Sequence, residues 1–284
     1  MSGGAAFTRR AVLTGLGVGL AGCAGLAGCA GPGARGAAGG VGQRPAPDRT
    51  LRCVTWNIRH GEGTDGRVDL ARIAASLARL APDLVLLQEV DRGCRRSGGV
   101  DQPGELGALL GLESAFAAHR PFDGGEYGLA ALSRAPILEA RGVPLDAAPR
   151  PLIALAVAID LSALVGFAGV GPLTAVGVHL VDTLDERAAE ARAVLDTVLR
   201  TPGPFVVAGD FNGTRETAPI EVFAACDVAT PPAPRETFPA DAPTREIDFM
   251  VAGPPHRARW ASSRVDAEAL ASDHRPVVAE LRLL

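Results

Sequence analysis

The chain has 284 residues, room for one or two domains and for a core that stands without a metal or disulfide staple, which excludes peptides and mini-proteins. Hydrophobic residues make up 47% and aromatics only 4%, with 35 Gly and 22 Pro, a composition that fits a globular domain rich in small residues and not a disordered chain or coiled coil. Every one of the 28 Lys-or-Arg positions is Arg, and the net charge of −4 leaves no basic surplus to hold a phosphate polymer by bulk electrostatics, although a local Arg patch is compatible with it.

In chain order, residues 1–28 read as an export signal. Thr8-Arg9-Arg10-Ala11-Val12-Leu13 sets an Arg pair ahead of a Gly/Ala/Leu stretch without acids, a pattern that resembles a twin-arginine signal. Leu20-Ala21-Gly22-Cys23 and Leu26-Ala27-Gly28-Cys29 both resemble the bacterial lipobox, whose Cys is lipidated and becomes the mature N-terminus. Cys29 is favoured because it leaves the longer apolar segment after the Arg pair; a soluble secreted form or an uncleaved anchor are the alternatives. Residues 29–49, dense in Gly, Ala and Pro, form a flexible tether. Three cysteines then remain, Cys53, Cys94 and Cys226, without a C-x-x-C spacing that would suggest zinc.

From residue 50 to 284 apolar runs alternate with amphipathic segments. Strands are predicted over Leu51–Ile58, Leu84–Val90, Leu129–Ser133, Leu152–Asp160, Leu173–Leu180, Phe205–Ala208, Ile247–Val251 and Val277–Leu281. Leu70, Ile73, Leu77 and Leu80 recur at helical spacing with Asp69 as N-cap. Thr183 and Glu186 form a capping-box pattern ahead of Leu184, Ala188, Ala191, Leu195 and Val198. The long apolar stretch from Leu152 to Val178 carries Asp160 and is broken by Gly166, Gly169, Gly171 and Pro172, so it reads as two strands and a turn and not as a membrane span. Strands mixed with helices, without a repeat or a linker after residue 50, argue for one α/β domain.

Polar residues mark the ends of these runs: Asn57, Glu89, His179, Asp210 with Asn212, Asp248, and Asp273 with His274. Taken singly, Asn57 fits an Asx turn, His179 a backbone-bonded imidazole and Asp248 a cap. Glu89 is harder to place that way, because a solvated acid is unexpected at the end of so apolar a strand as Leu84-Val85-Leu86-Leu87-Gln88-Glu89-Val90. Four carboxylates, two amides and two imidazoles at strand ends suggest a hard, oxygen-preferring cation. Mg²⁺ fits best, with Mn²⁺ as a substitute.

Taken in order, Thr55-Trp56-Asn57-Ile58, Pro82 to Val90, Tyr127 to Arg134, Gly177-Val178-His179-Leu180, Gly209-Asp210-Phe211-Asn212, Ile247-Asp248-Phe249 and Ser272 to Pro276 resemble the endonuclease/exonuclease/phosphatase superfamily of metal-dependent phosphohydrolases. The resemblance implies a four-layer α/β sandwich, two mixed β-sheets packed face to face with helices outside. It also implies that Glu89 and Asn57 hold Mg²⁺, that Asp273 holds a second cation, and that Asp210 orients or deprotonates water. Asn212 and His179 would contact the phosphoryl group, and His274, paired with Asp248, would contact it or act as acid or base. Whether Asp210 or His274 is the base, and whether one or two cations act, stay open.

Many relatives carry Asn after the Gly of the Tyr-Gly segment, where this chain has Leu129. No long basic loop suited to a duplex and no aromatic hairpin suited to membrane insertion are evident. Arg59, His60, Arg92, Arg95, Arg96 and Arg150 lie near motif ends as a candidate phosphate rim. The function expected is an exported, lipid-anchored, monomeric phosphodiesterase or phosphomonoesterase on the outer face of the cytoplasmic membrane. Nucleic acid and a phospholipid headgroup stand as the two substrate classes, with a catalytically weak binding module on the same fold as the alternative.

Overall fold

The computed structural model describes residues 49–145, 152–180, 183–217 and 219–284. The Arg pair, Cys23, Cys29, the tether up to residue 48, Arg150 and the side chain of Leu184 lie outside these described parts. In chain order the elements are β1 (Thr50–Asn57), α1 (Leu70–Leu80), β2 (Leu84–Arg92), α2 (Gln102–Leu110), β3 (Glu113–Phe122), β4 (Gly125–Ser133), β5 (Ile137–Leu145) and β6 (Leu152–Ile159). There follow β7 (Leu173–His179), α3 (Leu184–Leu199), β8 (Phe205–Asp210), β9 (Asp227–Val228), β10 (Asp248–Gly253), β11 (Ala258–Val265) and β12 (Val277–Leu283).

The strands form two six-stranded mixed sheets, ordered β11-β12-β1-β2-β4-β3 and β5-β6-β7-β8-β10-β9. Their unusually continuous apolar runs follow from this arrangement, because a central strand of a covered sheet is buried on both faces. On β2, Leu84 and Leu86 point into the core between the sheets, whereas Val85 and Leu87 pack beneath α1 and α2. On β8, Val206 and Ala208 face the inner core while Phe205 and Val207 lie under α3. This is the face-to-face sandwich with outer helices. Leu129 is fully buried in the inner core.

Asp69 caps α1 as expected, accepting a hydrogen bond from the Arg72 backbone N–H at 3.0 Å. Thr183 departs from the capping-box expectation. Its hydroxyl donates to the Glu186 carboxylate and makes no bond to a helix N–H. Val194 is buried on α3, where the reading by period had named its neighbour Leu195, which is partly buried. Leu152 to Val178 folds as two antiparallel strands, β6 and β7, joined through a single turn of 3₁₀ helix. Among the described residues no helix is long and apolar enough to cross a membrane. Cys53, Cys94 and Cys226 are free thiols.

Candidate active site

Parallel pairing of β1 with β2 and of β7 with β8 brings the C-terminal ends of four strands to one end of the sandwich. Asn57, Glu89, His179 and Asp210 stand there, and Asp248 opens β10 directly opposite Asp210 in the antiparallel ladder. His274 belongs to the segment before β12 and is tied down from two sides. Trp56, fully buried, donates its indole N–H to the His274 carbonyl at 2.8 Å, and the Ser272 hydroxyl donates to the Asn57 carbonyl at 2.7 Å.

Two local distortions aim the acids. The β2–β4 register shifts between Leu87 and Val90, and Glu89 takes φ +56°, so the bulge turns its carboxylate out of an otherwise buried strand. Non-glycine residues at positive φ are uncommon and cluster at functional sites. On β8, a Cβ at Gly209 would sit 1.9 Å from the Val178 carbonyl oxygen, so only glycine lets β7 and β8 close up and set His179 beside Asp210.

The Asn57 amide nitrogen lies 3.0 Å from Glu89 Oε1 and 3.3 Å from Asp210 Oδ2, bridging the two acids. Asn57 Oδ1 meanwhile accepts the Arg59 N–H at 3.1 Å, so the Asx turn and the site role coexist in one side chain. Asp210 Oδ2 faces the Nε2 of His179 at 3.6 Å and of His274 at 3.7 Å. His274 Nδ1 lies 2.9 Å from Asp248 Oδ2, which also accepts from the Thr237 hydroxyl. Asn212, at φ +50°, donates its backbone N–H to Asp210 Oδ1 at 2.8 Å and its amide to the Leu180 carbonyl at 2.8 Å. Asp273 has Arg59 Nε at 3.7 Å.

Burial works against a charged His274, but the carboxylates of Asp248, Asp210 and Asp273 outweigh it and push the imidazole up to about 9. Burial and the Asp248 charge raise Asp210, partly offset by the two histidines. Asp273 is raised by burial; His274 and Arg59 pull it back, while the Glu89 charge adds to the rise. The site thus has two parts. Asp210, Asp248 and His274 offer ligand atoms within 4.8 Å of one another, yet His274 Nδ1 is already engaged by Asp248. Glu89, half-buried and close enough to Asp273 to disturb it, offers the oxygen donors that a hard cation prefers. The donor set therefore fits Mg²⁺ or Mn²⁺ on the Glu89 side.

All eight site residues read from the sequence meet at this end of the sandwich. The rim arginines are a different matter, since most are paired with acids: Arg59 with Glu62 and Asp273, Arg92 with Glu126, Arg95 with Asp123, and Arg96 with Asp91. His60 faces Glu62 at 3.3 Å. Sequence reading had not singled out Thr237, Phe238 or His119. Phe238 stacks 4.8 Å from the His274 ring. His119 Nδ1 accepts the Ile153 N–H at 3.2 Å, and burial, with the charges of His179 and Arg120, lowers it to about 3, fixing it as a neutral ring. Thr237 and Phe238 lie on an irregular segment without an apolar run, and His119 follows only the short run Ala115-Phe116-Ala117-Ala118 on β3.

The sequence profile of the Endonuclease/Exonuclease/phosphatase family matches residues 54–274. The chain belongs to the endonuclease/exonuclease/phosphatase family. Its members are metal-dependent phosphoester hydrolases, and this chain is an enzyme of that class. Among solved structures it is similar to an endonuclease/exonuclease/phosphatase from Beutenbergia cavernae, with 26% identity over 83% of this chain and 72% of that one and a TM-score of 0.64. A mannosyl-6-phosphatase from Bacteroides thetaiotaomicron shares the fold at 18% identity, 81% and 99% coverage and a TM-score of 0.63. So does D. rerio TDP2 complexed with single-strand DNA product, at 18% identity, 83% and 100% coverage and a TM-score of 0.62. No curated protein matches the sequence.

Proposed function

We propose that this family member is an exported, lipid-anchored hydrolase of phosphodiester bonds that works with Mg²⁺ or Mn²⁺. The observation that carries the chemistry is the chain Asp248–His274–Asp210, with 2.9 Å and 3.7 Å separations, set against the Asn57–Glu89 pair. Glu89 and Asn57, with Asp273 beside them, would hold the divalent cation, which when bound would supply charge neutralisation at the phosphoryl oxygens. Asp210, its proton affinity raised by burial, orients a water and takes its proton. His274 stays protonated at neutral pH and donates from Nε2 to a phosphoryl oxygen, where negative charge grows. Asp248 holds the ring by Nδ1 and so fixes which nitrogen faces the substrate. His179 adds a second imidazole beside Asp210, and Asn212 holds the Asp210 carboxylate in place through its backbone N–H.

Export and lipidation rest on the Arg pair and the doubled Leu-Ala-Gly-Cys, with Cys29 as the modified residue. Incubating the purified protein with bis(p-nitrophenyl) phosphate in Mg²⁺ and in EDTA tests the chemistry. Hydrolysis abolished by EDTA is expected, and equal turnover in both refutes it. Radiolabelled palmitate should enter the wild-type chain and be lost on Cys29→Ser. Label retained in that variant would transfer the role to Cys23.

A further inference from the structure

Because the arginines along the β2 side of the site are matched by acids, their charge is not available to a substrate without breaking an ion pair. Arg120, near the end of β3, and Arg245, just before β10, differ. Both are exposed, and among the described residues neither has a carboxylate partner. Each also lies over aromatic rings, as the acid-paired Arg92 and Arg96 do, Arg96 sharing Phe122 and Tyr127 with Arg120. Arg120 Cζ is 5.1 Å from the centroid of Phe122 and 5.7 Å from that of Tyr127, and Arg245 Cζ is 4.7 Å from that of Phe238.

Both platforms border the reacting groups. Phe238 touches the His274 ring, and reciprocal backbone bonds of 3.1 and 2.9 Å between Phe238 and Arg245 hold the guanidinium over it. Tyr127 pairs with Arg120 in the β3–β4 ladder and with Asp91, two residues beyond Glu89, in the β2–β4 ladder. The strand order puts the two cations on opposite flanks. β3 is the far edge of the first sheet, whereas β10 lies against β1 and β12 of that sheet. From β12 to β3 is four strand steps of about 4.8 Å, roughly 20 Å, with the Asp210–His274 centre in between.

Resting on the hydrolase reading above, we infer that Arg120 and Arg245 are the two ends of a phosphate track, and that the substrate is an extended, single-stranded phosphodiester polyanion with charges on both sides of the scissile group. A zwitterionic lipid headgroup presents one phosphate and leaves at least one of the two cations unmatched. Arginine laid over aromatic rings along a groove is also the chemistry that receives single strands, through phosphate pairing and stacking.

The test compares Arg120→Gln, Arg245→Gln and the double variant. Binding of a fluorescent ten-nucleotide single strand is measured against salt in Mg²⁺, in an Asp210→Asn background that keeps the strand intact. Each substitution should lower the slope of log affinity against log salt by about 0.7. The double variant should bind on the order of 100-fold more weakly. With Asp210 restored, hydrolysis of bis(p-nitrophenyl) phosphate should stay within about twofold of the parent, showing that the folded site is untouched. An unchanged slope in the double variant overturns the track, as does hydrolysis of sphingomyelin or phosphatidylcholine vesicles without strand binding. Loss of the small-diester activity in the unsubstituted protein would instead strike the hydrolase reading, since strand binding is read separately.

Discussion

Glu89 and His274 show how one side chain's surroundings set its task. Glu89 is held at positive φ by a bulge, with the Asn57 amide on one oxygen, and this suits a residue that must face a cation while rooted in an apolar strand. Glu89→Gln keeps the shape and the hydrogen bond but removes the charge. It should lower kcat/KM without a change in the unfolding midpoint, and raised Mg²⁺ should recover part of the loss. His274→Ala should lower turnover by about 10²–10⁴-fold, and a fall below about tenfold would reduce the ring to a positioning role. The raised imidazole also has a signature in pH. Its folded value of about 9 lies above the value of about 6.5 for a free histidine, so its contribution to stability is complete below about 6.5 and is lost as pH rises through about 9. The unfolding midpoint should fall over that window in the wild type, and activity should decline along an alkaline limb near pH 9. In Asp248→Asn both should move to lower pH, because the strongest charge opposing deprotonation is gone. An alkaline limb unmoved by that substitution would contradict the pairing.

At the scale of elements, the close approach of β7 and β8 links stability to geometry. Gly209→Ala would drive a Cβ into the Val178 carbonyl, and the strands must separate to admit it. A loss of about 2–4 kcal/mol in urea unfolding is expected, together with reduced activity in the fraction that folds, since His179 and Asp210 pair in that register. Asp69→Ala serves as the contrast. Removing that cap should cost about 1 kcal/mol and leave kcat/KM unchanged, because α1 lies on the outer face of the first sheet, away from the strand ends. The central strands were legible because burial on both faces writes a continuous apolar run. The edge strands β3, β5 and β11 were not, nor was the two-residue β9. One side of each edge strand meets water, so Glu139 and Arg141 on β5, and Arg259 and Arg264 on β11, erase the pattern. Helix α2 was hidden by Pro103, Gly104 and Gly107, which weaken helix propensity although Asp101 caps its start and Pro103 sits where a helix tolerates it.

For the molecule as a whole, distant segments converge because the two sheets share one register of strand ends. The eight polar residues stand out in the sequence because they lie at the ends of apolar runs, where a buried acid or amide needs a partner. Thr237 and Phe238 do not. They reach His274 and Asp248 through the irregular segment before β10, whose path no periodicity announces. The pairing of the rim arginines with acids was equally hidden, since Arg92 meets Glu126, and Arg95 meets Asp123, only when β3 and β4 fold back against β2. Among the described residues, Arg120 and Arg245 are exposed arginines beside the site without a carboxylate partner, which is why the proposed phosphate track is built on them.

The central claim is that a cation and a phosphate ester meet between Glu89 and the Asp210–His274 pair. Crystals grown with Mn²⁺ and a slowly hydrolysed phosphorothioate diester would test it most directly, by anomalous scattering. A manganese peak at coordination distance from the Glu89 carboxylate, with the phosphorus centre within hydrogen-bonding reach of His274 Nε2, is the predicted result. Manganese bound elsewhere while the Glu89 carboxylate stays bare would contradict it.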